Sequence, residues 1–257
     1  MIGPWQSRVI FAHPELTMIA FDKSLGRIAI EMPASIPVLE KFGLDYCCAG
    51  HRSFEQACRE RGLSPEAVAA EIQAAVQRAP EPERDWSLAS LTELIDHILG
   101  AHHEYLRAEL PALAHRLERT RQAHPSHAAL LDRLRETFLG LQEELYAHLH
   151  KEETILFPAL RELEAATTQG RAVPRTPFGS VNNPIRVMLM EHDSAAAALE
   201  QMRTVTQGYA LPAEACATWE ALYRGLEELE RDLHLHIHLE NNVLFPKAAE
   251  LEAAARG

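Results

Sequence analysis

Two stretches of the sequence match each other and decide the fold. The sequence reads HLHKEETILFP at residues 148–158 and HIHLENNVLFP at residues 236–246. Both stretches contain His-x-x-x-Glu, and both continue at the same offset into Leu-Phe-Pro. Residues four apart on an α-helix lie about one turn apart on the same face, so each His/Glu pair can reach one centre.

A further histidine stands upstream of each pair at a matching distance. His103 precedes His148 by 45 residues, and His192 precedes His236 by 44. We infer a duplication in which each half supplies one helix with a single histidine and one helix with a His/Glu pair. Four long helices with short connections predict an all-α fold, an antiparallel four-helix bundle with a metal site between facing helices.

The paired residues are predicted to face the core. The apolar residues around the first pair are Leu141, Leu145, Leu149, Ile155 and Leu156. A buried carboxylate and imidazole are costly unless they are paired or bind a metal. One such pair is a weak signal, because His51 and Glu55 show the same spacing. The duplicated set is far more specific.

The duplication predicts six ligands from four helices. Beyond a histidine of the first helix, these are His148, Glu152, His192, His236 and Glu240. Imidazole and carboxylate ligands suit two iron or manganese ions bridged by the carboxylates, and iron is the better candidate. All-oxygen sites suit calcium or magnesium, and thiolate-rich sites suit structural zinc.

The first ligand stays open between two neighbouring histidines. The apolar stripe of that helix is centred nearer to His102 than to His103, and the repeat spacing cannot separate them. Three further histidines, His150, His234 and His238, are predicted to point away from the paired faces, as surface or supporting groups.

Charge and composition exclude several classes of protein. The 257 residues carry a formal net charge of −12, which argues against nucleic acid or an anionic membrane as a partner. No apolar run approaches the roughly 20 residues that span a bilayer, and no signal-peptide pattern frames the first residues. The four cysteines, two of them adjacent, are a poor disulfide framework. We therefore predict a cytoplasmic protein.

The chain is predicted to have three parts. Residues 1–30 form an extension, residues 31–80 a small helical domain, and residues 86–257 the bundle. A segment rich in proline and charge, residues 79–85, is the predicted linker. The predicted bundle helices are 88–121, 126–166, 184–207 and 213–254.

Several stretches together resemble a known family. They are DYCCAG at 45–50, DHILGAHH at 96–103, EHD at 191–193, EACATW at 214–219 and the two His-x-x-x-Glu tails. These residues resemble the hemerythrin-like di-iron family, and within it the Repair of Iron Centers proteins, which have an N-terminal Cys-Cys domain of the ScdA type. The likeness covers about residues 24–250, and Ala49 stands where the family usually has glycine.

The resemblance implies a ligand set and a function. It places the first ligand at His103, beside the five residues above. It implies two non-haem iron ions, bridged by an oxo group and by carboxylates. It further implies a stress-response protein that repairs iron–sulfur clusters damaged by nitric oxide or oxidants, by donating iron or handling nitric oxide. Nitric oxide or O2 would be the small ligands and damaged iron–sulfur proteins the partners, with a homodimer left open.

The site differs from that of oxygen-carrying hemerythrins. Those proteins place a second histidine four residues after the third-helix ligand, where this chain has Ala196. Their last helix uses Asp at a five-residue spacing, whereas Glu240 here comes at four. The more open site favours reactions with small molecules over reversible oxygen carriage.

The adjacent Cys47 and Cys48 are candidates for redox chemistry or for passing iron to a recipient. Their side chains are expected to diverge, so that they cannot easily chelate one ion, and a disulfide between them would be strained and labile. The alternative is that two small residues pack a loop. Cys58 and Cys216 are predicted to be small buried hydrophobic residues.

Three other functions remain open at this point. The same centre could make the chain an enzyme, a nitric oxide reductase. It could also serve a sensor that binds O2 or iron reversibly. The last alternative is a purely structural bundle that binds no metal.

Overall fold

The computed structural model describes residues 19–79, 85–173 and 175–256. These residues form helices and no β-strand, and they confirm the predicted all-α fold, a four-helix bundle preceded by a small helical region. Within them, no helix is both long enough and apolar enough to cross a membrane.

Residues 19–79 contain four α-helices. They are α1 (Leu25–Glu31), α2 (Ile36–Lys41), α3 (Phe54–Glu60) and α4 (Pro65–Arg78). Ser53 and Ser64 cap α3 and α4, each accepting a hydrogen bond from a backbone N–H three residues on, as their sequence positions predict. The sequence did not predict α1, which buries Leu25 and Ile28 in the core of this region.

The bundle has four rods, three of which contain a wider π-helical turn. The first joins α5 (Leu91–His97) through Ile98–His103 to α6 (Glu104–Ala123). The second joins α7 (Ala128–Lys151) through Glu152–Leu156 to α8 (Phe157–Thr168). The third is α9 (Asn182–Val205). The fourth joins α10 (Ala217–Leu239) through Glu240–Leu244 to α11 (Phe245–Arg256).

Packing places the predicted ligands between two cores. Helix α6 packs against α7 and α10, and α7 packs against α9, around a long core that includes Phe138 and Trp219. A second core, with Phe157 and Phe245, lies beyond the π turns. The N-terminal region has its own core, to which Ile237 of α10 contributes.

The domain boundaries at residues 30, 80 and 86 stay predictions. Of the predicted extension, residues 1–18 lie outside the described residues, as do residues 80–84 of the predicted linker.

Candidate metal centre

The six predicted ligands converge at one level of the bundle. His103, Glu152, His236 and Glu240 each place one ligand atom within 4.8 Å of the others. His148, Glu152, His192 and Glu240 form a second set by the same criterion. All six residues are buried, and the two sets share both glutamates.

Glu152 lies between the two sets. Its Oε2 atom is 3.4 Å from His103 Nε2 and 3.3 Å from His148 Nε2. Burial raises the pKa of Glu152 well above its usual range, and the neighbouring charge of Glu240 adds to the effect.

Glu240 occupies the equivalent place on the fourth rod. Its Oε2 atom is 3.1 Å from His192 Nε2, and its Oε1 atom is 3.2 Å from His236 Nε2. Burial alone would raise the pKa of Glu240, but His236 and His192 outweigh it and hold that pKa well below its usual range. Each glutamate thus reaches one histidine of each set, as bridging ligands require.

Unpartnered polar atoms show that the site fits a cation. Both carboxylate oxygens of Glu152 and of Glu240, and Nε2 of His103 and of His236, are buried and hydrogen-bond to nothing within the described part of the chain. Buried polar groups are normally hydrogen-bonded, and buried charges are paired or bind metals. Four imidazoles and two carboxylates suit iron or manganese.

Burial favours the neutral, metal-binding form of three imidazoles of the site. It lowers the pKa of His103 to about 4, and it also lowers the pKa values of His148 and His236. Neutral imidazole offers a lone pair to a cation, whereas imidazolium does not.

Carboxylates orient two of these rings. His103 donates from Nδ1 to Glu153 Oε1 at 2.8 Å, and Arg107 holds Glu153 in turn at 2.6 Å. His148 donates from Nδ1 to Glu191 Oε2 at 2.9 Å. Such acceptors fix the ring and its tautomer, leaving Nε2 free to face the centre.

The other two histidines are supported differently. His192 donates from Nδ1 to Asn241 Oδ1 at 2.8 Å. Nδ1 of His236 has no hydrogen-bond partner in the described chain. Instead, the ring of His102 stacks on it at a centroid distance of 5.3 Å and an angle of 8°, while Asp232 accepts from His102 Nδ1 at 2.8 Å.

The two candidate histidines of the first helix differ in their neighbours. Both His102 and His103 are buried, but only His103 belongs to a cluster with the glutamates. The apolar stripe favours His102 only if the helix is a regular α-helix, and the π turn at Ile98–His103 breaks that register.

The π turns are what the sequence reasoning missed. Two of them begin at the proposed ligands Glu152 and Glu240, where the following phenylalanine donates to a carbonyl five residues back. The shared Leu-Phe-Pro tail was a usable signal, because Pro158 and Pro246 have no N–H and clash with the carbonyl four residues back in a regular α-helix.

The remaining histidines, predicted to be surface or supporting groups, differ in burial. His150 is exposed, as predicted. His238 is buried, with its ring 5.2 Å from that of Tyr46 and its Nδ1 3.1 Å from Asn242 Nδ2. Burial lowers the pKa of His238 to about 4. The N-terminal region covers this face of α10, which helical periodicity alone could not reveal.

The side chains of Cys47 and Cys48 do not diverge, contrary to expectation. Their Sγ atoms are 3.8 Å apart, and both thiols are free. Cys48 Sγ lies 4.0 Å from the carbonyl oxygen of His192, and Asn241 Nδ2 donates to the Cys47 carbonyl at 3.2 Å. The pair therefore adjoins His192, the proposed ligand of the third rod.

The other two cysteines differ from each other. Cys58 is buried, as predicted. Cys216 is only partly buried, which the sequence did not predict, and its Sγ lies 3.2 Å from His124 Nε2. His124 and Cys216 lie where α6 ends and α10 begins, at the end of the bundle away from the metal-ligand clusters.

A small cavity adjoins the centre. Its volume is about 10 Å³, and its lining includes His148, His192, His236 and Ala195. A space of this size holds one water-sized molecule.

Comparisons with known families agree with this geometry. The family model described as "Hemerythrin HHE cation binding domain" matches residues 94–248. A second model, ScdA_N, described as "Domain of Unknown function (DUF542)", matches residues 21–76. Fold and site thus define a cation-binding helical bundle of the hemerythrin class, with an additional N-terminal module.

Curated relatives narrow the class. Proteins named "Iron-sulfur cluster repair protein YtfE" from Enterobacter sp. (strain 638), Citrobacter koseri and Escherichia coli O8 are each 36% identical over 228 residues. The match covers 88% of this chain and 96% of each relative. The chain belongs to the hemerythrin family, and within it to the group of iron–sulfur cluster repair proteins. Membership implies iron binding, and the two His/Glu clusters can hold a metal.

Proposed function

We propose that this chain repairs iron–sulfur clusters damaged by nitrosative or oxidative stress, using two non-haem iron ions in the bundle. The proposed ligands are His103, His148, Glu152, His192, His236 and Glu240, with both glutamates as bridges. The observation that carries the proposal is the pair of buried clusters that share these glutamates. The name of the relatives supports the repair function and damaged iron–sulfur proteins as partners.

The chain's own residues prepare the site for this task. Glu153, Glu191 and Asn241 hold three imidazoles with Nε2 directed at the carboxylates. The apolar cores on both sides keep bulk water away from the charged groups. Bound iron would supply both redox chemistry and the metal that an incomplete cluster lacks.

Cys47 and Cys48 are the proposed route between this centre and a recipient, by redox chemistry or iron transfer. Their support is positional. Asn241 hydrogen-bonds to both the His192 ring and the Cys47 carbonyl, so that one side chain joins the cysteine turn to the proposed ligand.

Nitric oxide reduction is the second candidate function. The cavity beside His148 and His192 favours it, because it gives a very small molecule a place next to the proposed ligands. Analysis of the products for nitrous oxide during turnover separates an enzyme from a protein that only donates iron. The cytoplasmic location remains a prediction.

The first experiment measures iron per chain and the absorption spectrum. We expect about two iron ions per native chain, and loss of iron and of its absorption in a Glu152→Ala/Glu240→Ala variant. Glu143→Ala is the matched control, since Glu143 is exposed on the same helix as the first pair. Native protein should then restore a damaged iron–sulfur enzyme, and the double variant should not. If the iron content were unchanged in the double variant, the proposed site would be wrong.

A further inference from the structure

A third group of potential metal ligands lies outside the bundle centre. Asp45, Cys47 and Cys48 each place one ligand atom within 4.8 Å of the other two. Cys47 Sγ is 3.3 Å from Asp45 Oδ1 and 3.8 Å from Cys48 Sγ. The group belongs to the loop between α2 and α3, not to the repeat that forms the bundle site.

The sulfur separation is that of a tetrahedral metal site. Two sulfurs bound at about 2.3 Å to one ion with tetrahedral angles lie about 3.8 Å apart. The loop is built to hold this arrangement, because Asp45 Oδ1 accepts hydrogen bonds from the backbone N–H groups of Cys47 at 3.1 Å and Cys48 at 2.9 Å. These two bonds fix the turn and keep both thiols on one side.

We propose that Asp45, Cys47 and Cys48 bind a single divalent first-row cation, Fe2+, through two thiolates and one carboxylate. Binding releases two thiol protons to solvent and changes no oxidation state. Three protein ligands leave the fourth position open, as in sites that exchange a ligand rather than purely structural ones. Cys48 is only partly buried, so the open position can receive a ligand from outside.

The location suggests what the site is for. Cys48 Sγ is 4.0 Å from the carbonyl oxygen of His192, and Cys47 lines a cleft of about 790 Å³ between the N-terminal region and the bundle. Iron that moves between the bundle and a recipient would thus meet a pair of thiolates of which one, Cys47, lines this cleft. This role as a stopping point rests on the proposed function, whereas metal binding by the loop does not.

Cobalt(II) is the probe that tests the site. Co2+ is added anaerobically to the reduced full-length protein carrying Cys58→Ser and Cys216→Ser, which leaves only the two adjacent thiols. We expect a thiolate-to-cobalt charge-transfer band whose intensity corresponds to one thiolate-bound Co2+ per chain. Imidazole and carboxylate ligands cannot produce this band. Cys47→Ser or Cys48→Ser should reduce or abolish it. A parent protein without the band would overturn the proposal.

Asp45→Asn tests the third ligand. Asparagine keeps an oxygen that can accept both backbone N–H groups, so the turn survives, but the anionic ligand is lost. We expect the affinity for Co2+ to fall by at least about tenfold, with unchanged helix content. An unchanged affinity would mean that Asp45 only shapes the turn, and the three-ligand site would be wrong.

Two further measurements test which metal the site binds and whether it is separate from the bundle centre. Excess Fe2+ should displace Co2+, but at higher concentrations than Zn2+ needs, because Fe2+ binds such sites more weakly. If excess Fe2+ did not displace Co2+, the assignment to iron would be wrong. The band should persist in Glu152→Ala/Glu240→Ala, and its loss there would contradict a separate site. Loss of cluster repair with the band intact would instead count against the proposed function.

Discussion

At the scale of single residues, the two halves of the repeat support their histidines unequally. Glu191, which precedes His192, accepts a hydrogen bond from His148. The equivalent residue before His103 is His102. Its ring stacks on that of His236, and Nδ1 of His236 has no acceptor in the described chain. Each set has one imidazole backed by a carboxylate, but only the set with His148 and His192 also has an acceptor, Asn241, behind its other imidazole. Because such acceptors strengthen metal binding, the set with His103 and His236 should hold iron more weakly.

Restoring the missing acceptor tests this asymmetry. Iron release from the native protein to a chelator should be biphasic, with the faster phase belonging to the ion near His236. His102→Glu places a carboxylate at the position equivalent to Glu191 and should slow the fast phase by about tenfold or more. Asp232→Asn is the control, since it changes the partner of His102 without giving His236 an acceptor. Release in one phase by the native protein would contradict the prediction.

Cys216 should be the most reactive thiol of the chain near neutral pH. The hydrogen bond from His124, together with the backbone N–H groups at the start of α10, lowers the pKa of Cys216 to about 7. Since the thiolate is the nucleophile, alkylation should rise with pH around a midpoint near 7. His124→Ala should raise that midpoint and slow alkylation at pH 7 by about tenfold.

Mass spectrometry of the alkylated peptides assigns each rate. Cys58 provides an internal control, because burial raises its pKa and shields it. Equal rates for Cys216 with and without His124 would show that the imidazole does not stabilise the thiolate.

At the scale of helices, the sequence predicted the rods but not their π turns. The predicted ends of all four rods lie within two to four residues of those observed. This agreement is expected, because amphipathic periodicity and turn residues identify long helices well. Periodicity assumes 3.6 residues per turn throughout, so a local widening is invisible to it. The π turn matters most at the first rod, because a regular helix there favours His102, whereas the observed turn brings His103 to the glutamates.

Prolines should maintain the two π turns that carry glutamates. Pro158→Ala/Pro246→Ala restores both N–H groups and removes the clash with the carbonyl four residues back, so that a regular α-helix becomes competitive. A regular helix would shift Leu156 and Phe157 relative to Glu152. We expect iron content to fall while helix content by circular dichroism stays unchanged.

Pro111→Ala is the matched control for this variant. Pro111 also lies inside a bundle helix, but in α6, outside the π turns. Its replacement should leave iron content unchanged and should not lower the melting temperature, because alanine favours the helix interior. Equal loss of iron in both variants would point to a general effect of proline removal.

At the scale of the whole molecule, the N-terminal region docks on the fourth rod through Asn242. Its Nδ2 donates to the carbonyls of Tyr46 at 3.1 Å and Cys47 at 3.3 Å. The sequence could not predict this contact, because neither the pattern of α10 nor that of the cysteine loop specifies its partner. The same docking explains why His238 is buried although it points away from the metal centre.

Close approach at Gly50 makes this docking sensitive to one methyl group. A Cβ atom at position 50 would lie 2.5 Å from both the carbonyl oxygen of Tyr46 and Oδ1 of Asn242. Since the carbonyl belongs to the backbone, Gly50→Ala must displace the cysteine loop, at a cost of about 1–3 kcal/mol in the free energy of unfolding. We expect limited proteolysis to cleave residues 19–79 faster while the bundle stays protected.

Gly140→Ala separates docking from a general effect of replacing glycine. Gly140 lies in the middle of α7, is exposed, and a Cβ atom there would meet nothing within 4 Å. Alanine at this position should therefore raise the free energy of unfolding by up to about 1 kcal/mol and leave proteolysis of the N-terminal region unchanged. If Gly50→Ala were as resistant to proteolysis as Gly140→Ala, the contact through Asn242 would not hold the two parts together. The cysteine turn would then lack the fixed position beside His192 that the proposed iron transfer requires.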